Sequence, residues 1–264
     1  MKIMENSELF YRHYDALFRH KDYAREIDLI FKLAQKFGVL QPTHMLEIGC
    51  GTGNHTQELA KSGIPLTAID IDKKMITLAR EKLVRNNFNH VRFSTARIDR
   101  LAEKNFDLIV AFFNVVTYIP DDVQLKIFMA GVAKRLAPDG IFIFDCWNGV
   151  AVLRDPPHTK TIRMNQHGAR IVCKLDAHTD AFNQKTLLTY RFSVHHDKKT
   201  ETGNYAFMQT LWTPTQITAA LAQAGLELLL CSPFMKPSKP ARATDWKIIF
   251  CCRKPRYKPQ RSKN

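Results

Sequence analysis

The sequence predicts an α/β fold on a mostly parallel, seven-stranded sheet. Three observations carry that prediction. Short apolar runs alternate with amphipathic stretches, the first run passes straight into a glycine-rich turn, and two last apolar runs remain after the final helical stretch. The length of 264 residues suits one large α/β domain with an inserted subdomain better than two equal domains. With 45% hydrophobic and 24% charged residues the chain has the makeup of a globular protein, which excludes disorder and fibre.

The first forty residues interleave charges with apolar positions. Ile27, Ile30, Phe31, Leu33 and Ala34 have the spacing of one helix face, and Gly38 stops the helix. A strand over 45–48 runs into glycines and a helix over 56–61; a strand over 64–69 and a helix over 73–85 repeat the unit. Strands over 91–94 and 106–113 follow, then a helix over 123–136, a turn at Pro138, Asp139 and Gly140, and a strand over 141–144. Strands that alternate with helices pair in parallel and are covered on both faces. From 161 to 211 the rhythm changes to β-rich pieces at 161–164, 169–175, 185–195 and 205–211 with polar turns between them, which predicts an antiparallel insert. A helix over 215–224, stopped by Gly225, leads to strands over 226–231 and 246–252 that complete the main sheet. The expected organisation is a helical cover over 1–40, a ligand-binding core over 41–154, an antiparallel substrate cover over 155–211, the end of the core over 212–252 and a disordered basic tail over 253–264. The insert and the N-terminal helices are expected to close the site from opposite sides.

The strongest chemical signal is Glu47-Ile48-Gly49-Cys50-Gly51-Thr52-Gly53, where a strand gives way to a helix. The spacing GxGxG is not the dinucleotide fingerprint GxGxxG, because Asn54 stands where a third glycine would be needed. Glu47 before the turn disfavours a phosphate and favours a cation such as a sulfonium or ammonium. Asp70, at the end of the next strand, is placed to accept both hydroxyls of a ribose, whereas Asp72 precedes the helical periodicity and caps it.

The blocks MLEIGCGTGNHT, LTAIDIDKKMITLAR, FDLIVAFFNVVTYI and LAPDGIFIFDCWN, in that order over residues 40–150, resemble those of the class I S-adenosylmethionine-dependent methyltransferases. The resemblance implies a Rossmann-like class I fold, S-adenosylmethionine as cofactor, and an enzyme. It implies that Glu47, Gly49, Gly51 and Gly53 line the methionine end, that Asp70 holds the ribose, and that Ile71, Met75 and Phe112 pack on the cofactor. Where the family often has an acid after the third strand, this chain has Arg97 and then Ile98, which leaves a backbone contact to the adenine. The segment SELFYRHYDALFRHKDYAREIDLI resembles small-molecule N-methyltransferases, including those acting on amino sugars, and implies that Tyr14 and Tyr23 contact the sulfonium and the methionine carboxylate. Before its last helix that group commonly shows a His and an Arg; here the chain reads NYAFMQTLWTP.

Methyl transfer to an amine asks mainly for positioning, and Tyr14, Asn114 and Tyr118 are the candidates for it. A hydroxyl acceptor with His13, His195 or His196 as base is the alternative, followed by an RNA-directed or non-catalytic cofactor-binding protein. The excess of 39 Lys and Arg over 25 Asp and Glu, a net charge of +14, keeps nucleic acid open as a partner, although no NPPY-type motif supports it. Six cysteines without CxxC spacing predict neither a zinc site nor a disulfide framework, and no metal is expected. No apolar run reaches membrane-span length and no export signal is visible, so a cytoplasmic monomer or homodimer acting on a small molecule is expected.

Overall fold

A computed structural model describes residues 7–197 and 199–256. Seven strands form one sheet in the order β10-β11-β5-β4-β1-β2-β3. They are β1 (Met45–Ile48), β2 (Leu66–Asp70), β3 (Arg92–Thr95), β4 (Phe106–Ala111), β5 (Leu136–Trp147), β10 (Glu227–Pro233) and β11 (Lys247–Arg253). The first five pair in parallel, and β11 joins β5 antiparallel, with β10 antiparallel outside it. Side chains alternate between two apolar layers. Leu46, Ile109, Phe142, Phe144 and Phe250 face α5 (Asp122–Arg135) and α7 (Pro214–Gln223); Met45, Leu108, Val110, Ile143 and Ile249 face α2 (Tyr23–Lys36), α3 (Asn54–Ala60) and α4 (Lys73–Arg85). A strand puts successive residues on opposite faces, so runs buried on both faces read as unbroken apolar stretches.

The segment after β5 makes a second, four-stranded antiparallel sheet in the order β6-β7-β8-β9: β6 (Lys160–Gln166), β7 (Ala169–Asp180), β8 (Lys185–His196) and β9 (Lys199–Thr210). Helix α1 (Glu8–Phe18) lays Leu9, Phe10, Tyr11 and Leu17 on the inner face of this sheet, among Ile171, Tyr190, Phe192, Tyr205 and Phe207. The Phe10 and Tyr205 rings stack at 3.9 Å. The two N-terminal helices therefore part company. α1 packs with the insert rather than opposite it, and α2 packs on the main sheet.

Three local expectations are corrected, and one short helix appears that the sequence reading did not name. β4 stops at Ala111, because Phe113 and Asn114 take left-handed φ values of 71° and 62° and break the strand. The expected turn at Pro138, Asp139 and Gly140 lies inside β5, where Lys254 pairs with it through Asp139 N–H to Lys254 O (2.8 Å) and Lys254 N–H to Gly140 O (3.0 Å). A short helix, α6 (Gly149–Arg154), opens the insert. The ordered chain continues past Cys252: Arg253 ends β11 and pairs with Glu227, and Arg256 pairs with Asp139. The rest of the expected tail, 257–264, lies outside the described residues. Among the described residues no helix is long and apolar enough to cross a membrane, and no group of three His, Cys, Asp or Glu is placed to hold a metal ion.

Candidate active site

At the carboxyl ends of β1 and β2 the chain folds back on itself. Asp70 Oδ2 accepts the Gly51 N–H at 2.9 Å, and Oδ1 accepts the Asp72 N–H at 2.9 Å. Burial raises the Asp70 pKa, against the pull of these two bonds. Asp72 caps α4 by accepting from the Lys74 and Met75 N–H groups, as its place before the helix predicts. Above this turn opens a cavity of about 320 Å³. Tyr14, Gly49, Gly51, Asp70, Ile71, Met75, Arg97, Ile98, Phe112 and Tyr118 all line it. Ile71 is 72% exposed, an apolar side chain left open at the cavity.

Four residues expected here stand elsewhere. Glu47 is buried beneath the turn and accepts the Thr56 hydroxyl at 2.5 Å; burial pushes its carboxyl up to about 8, with the Thr56 bond opposing. Gly53 caps α3 at φ 82°, and a Cβ there would come within 3.1 Å of Ala79 and Leu83 of α4, so this glycine serves helix packing. The Tyr23 hydroxyl donates to Phe18 O (3.3 Å) and receives the Asn54 amide (3.3 Å), and its ring meets His55 edge-on. Burial pushes the Tyr23 hydroxyl up to about 12, with the Asn54 bond opposing. Asn114 belongs to a second cavity.

That second cavity, about 550 Å³, lies between the carboxyl edge of the main sheet, α1 and the insert. Phe10, Tyr14, Phe113, Tyr118 and Phe207 line both spaces, so the two meet at these rings. Burial raises the Tyr14 and Tyr118 hydroxyls well above their ordinary value. Both are neutral donors at physiological pH. Asn114 heads a 3-10 turn over Val115–Tyr118 without capping it by its side chain. Its backbone is held from below, where Asp145 Oδ1 accepts the N–H groups of Phe113 (2.6 Å) and Asn114 (3.4 Å) and Lys247 Nζ stands 2.6 Å from Oδ2.

Sequence reasoning missed Asp145, Gln209 and a buried ionic group formed by Lys21, Glu26 and His55. Lys21 Nζ is 2.9 Å from Glu26 Oε1, His55 Nε2 is 2.7 Å from Glu26 Oε2, and Lys21 sits 4.2 Å above the Phe113 ring. Burial alone would raise Glu26, but the His55 hydrogen bond and Lys21 outweigh it and hold the carboxyl at about 2. Asp145 had one usable signal, a lone acid inside the apolar run of β5. Of the histidines proposed as bases, none lines either cavity: His13 is buried against Gln166, and His195 and His196 lie at the far end of β8. His20 and His158 line the larger one instead.

Helix α1 is tied across the smaller cavity. Asp15 accepts the Thr52 hydroxyl (2.6 Å) and the Asn54 amide (3.0 Å) and pairs with Lys82 (2.7 Å), Tyr11 donates to Asp72 (2.7 Å), and Glu8 meets Lys74. These bonds hold the Tyr14 segment over the glycine turn.

Residues 45–140 match the profile of a methyltransferase domain. Over that stretch the chain is similar to methyltransferase domains. A solved S-adenosylmethionine-dependent methyltransferase from Clostridium acetobutylicum superposes on 95% of the chain and 100% of its own, with a TM-score of 0.79 at 20% identity, which shows the shared fold. The chain is 27% identical over 140 residues to the dTDP-3-amino-3,4,6-trideoxy-alpha-D-glucopyranose N,N-dimethyltransferase of Streptomyces venezuelae, covering 53% of this chain and 55% of that protein. It thus spans about half the length of that curated relative. To the dTDP-4-amino-2,3,4,6-tetradeoxy-D-glucose N,N-dimethyltransferase of Saccharopolyspora spinosa it is 23% identical over 217 residues, 81% of this chain and 83% of the other. The matched methyltransferase domain contains Gly49, Gly51, Asp70 and Asn114, while Tyr14 and the insert side of the larger cavity come from outside it.

Proposed function

We propose that the protein is an enzyme that transfers the methyl group of S-adenosylmethionine to an amine nitrogen of a small molecule. The supporting observation is the meeting of two cavities at Tyr14, Phe113 and Tyr118, one above the glycine turn and Asp70, the other beneath the insert. The residues of the smaller cavity suit the cofactor: Asp70 is an acceptor for ribose hydroxyls, Ile71, Met75, Ile98 and Phe112 offer apolar surface to an adenine, and the backbone at Gly49 and Gly51 allows close approach. When bound, S-adenosylmethionine supplies a methyl group already activated on a sulfonium. The chain's own task is then to hold the acceptor in line and to exclude water. Tyr14 and Tyr118 orient the acceptor by their hydroxyls, Asn114 presents an amide, and Phe10, Phe113 and Phe207 form the dry wall. The amino-sugar N-methylation named for the two relatives accords with an amine acceptor.

The test is calorimetric titration with S-adenosylmethionine, followed by a screen of small amines and hydroxyl compounds scored by S-adenosylhomocysteine formed. No cofactor binding would sink the proposal. A hydroxyl acceptor served by a histidine base is the second reading, favoured by His20 and His158 in the wall of the larger cavity. The pH profile separates the two: an amine acceptor follows its own deprotonation, whereas a base-assisted hydroxyl loses turnover when the base is replaced.

A further inference from the structure

Two residues that line the larger cavity carry side-chain carbonyl oxygens without a donor among the described residues. Asn114 Oδ1 and Gln209 Oε1 are buried without a hydrogen-bond partner among the described residues, and the two residues are only 6% and 3% exposed. Buried carbonyls in folded proteins are nearly always paired, because an unpaired one forfeits its hydration for nothing. One of these comes from the carboxyl edge of the main sheet and the other from β9 of the insert, so the main sheet and the insert each bring an acceptor to one space. Asn114 is not free to turn away by moving its backbone, since Asp145 holds the N–H groups of Phe113 and Asn114. Gln209 stands beside Tyr118, which lines both cavities.

We propose that Asn114 and Gln209 receive two N–H groups of a primary amine, and so set both its line of attack and the extent of its methylation. This rests on the amine reading above. A neutral primary amine has two N–H bonds and one lone pair. With both N–H groups on the carbonyls, the lone pair is left to face the methyl donor. The lone pair forms the N–C bond as the S–C bond breaks, the positive charge passes to nitrogen, the cofactor leaves as a neutral thioether, and the ammonium later gives a proton to water. Carbonyl dipoles hold an N–H more strongly as nitrogen becomes positive, so they favour the transition state over the ground state. Each methyl added removes one N–H, and a hydroxyl offers only one donor. Primary amines are therefore preferred over secondary amines and alcohols, which bring one donor each, and these over tertiary amines, which bring none.

The experiment uses the full chain with S-adenosylhomocysteine present and follows the fluorescence of Trp147 and Trp246, which line the same cavity. The probes are benzylamine, N-methylbenzylamine, N,N-dimethylbenzylamine and benzyl alcohol, titrated at several pH values and compared through the neutral fraction of each amine. The expected result is benzylamine binding about tenfold tighter than N-methylbenzylamine or the alcohol, the size of effect of one buried hydrogen bond, and tighter still relative to the dimethyl compound. Gln209→Met and Asn114→Ala, each of which leaves one carbonyl, should each bring benzylamine to within about twofold of the alcohol, while Gln209→Glu and Asn114→Asp, which keep acceptor oxygens, preserve its lead. A wild type that does not rank benzylamine first, or variants lacking the carbonyl that keep the full ratio, overturns the assignment. S-adenosylhomocysteine affinity, measured on every variant, reports an intact fold. Loss of cofactor binding in the wild type would sink the proposed function itself; a flat amine ranking with cofactor binding intact sinks only the carbonyl pair.

Discussion

Asp70 answers to two backbone N–H groups, yet a carboxylate has lone pairs for more than two donors. Asp70→Ala should weaken S-adenosylmethionine binding by about 1.5–3 kcal/mol, the worth of a hydrogen bond to a charged group. Calorimetry at constant salt checks this, and undiminished affinity would remove Asp70 from the proposed site. Glu47 makes a different prediction. Its carboxyl rises from 4.5 to about 8 on folding, so between those values the folded chain keeps a proton that the unfolded chain has lost. Stability therefore falls as pH rises through that window and levels off above it. Glu47→Gln, which still accepts from Thr56, should be spared about 2–4 kcal/mol of that decline. Urea melts of both proteins at several pH values between 5 and 8.5 test it, and parallel curves would contradict the burial argument.

At the scale of elements, the insert is a loop whose two ends are fastened together. The chain leaves the main sheet at α6 and returns at Leu211 and Trp212, and the Gly149 N–H donates to Trp212 O at 2.9 Å. A Cβ at Gly149 would lie 2.2 Å from Leu211 O and 2.6 Å from its carbonyl carbon, and backbone cannot yield as a flexible side chain does. Gly149→Ala should cost about 1–3 kcal/mol, read as a Tm lower by roughly 3–10 °C. A wild-type Tm would show that the junction is looser than the contact implies. Because the insert is stapled here and packed against α1, its sheet arrives over the carboxyl edge of the core in one orientation, and Tyr190, Phe207 and Gln209 become cavity wall.

Across the whole molecule, the last described residues belong to the fold. Lys254 adds a rung to the β5–β11 ladder and its Nζ donates to Leu136 O at 2.8 Å. A chain ending at Arg256 should keep its Tm and cofactor affinity, whereas one ending at Cys252 should lose about 1–3 kcal/mol through the missing rung and ion pairs. Thermal melts and calorimetry of both truncations decide it; equal stability would deny the ladder its role. Lys258, Arg261 and Lys263 contribute to the charge of +14, and at physiological salt the field of exposed charges fades over ~8 Å. Turnover in the chain ending at Arg256 should therefore match that of the full chain.

The order and type of the core elements were legible because each is announced by neighbours in the chain. The residues 73–85 read as a helix are α4 (Lys73–Arg85), Asp72 caps it, and the β1 run leads into its glycine turn. Local periodicity and capping are properties of a few consecutive residues, and so is the adjacency of an acid to a strand end. Ten of the proposed site residues line the smaller cavity; Asp70 was legible from its place at a strand end, whereas Tyr14 comes there through the contacts of α1. What tertiary structure alone decided involves partners far apart in sequence. Gly53 belongs to a motif read as ligand-binding, but the face of α4 at Ala79 and Leu83 claims it for helix packing. Lys254 turns an expected bend at Pro138 to Gly140 into strand, 114 residues or more away. The larger cavity exists only because β9 is brought over the end of β4, setting Gln209 in the same wall as Asn114. Elements follow from short-range sequence, whereas an acceptor site is made of long-range contacts that no local pattern records.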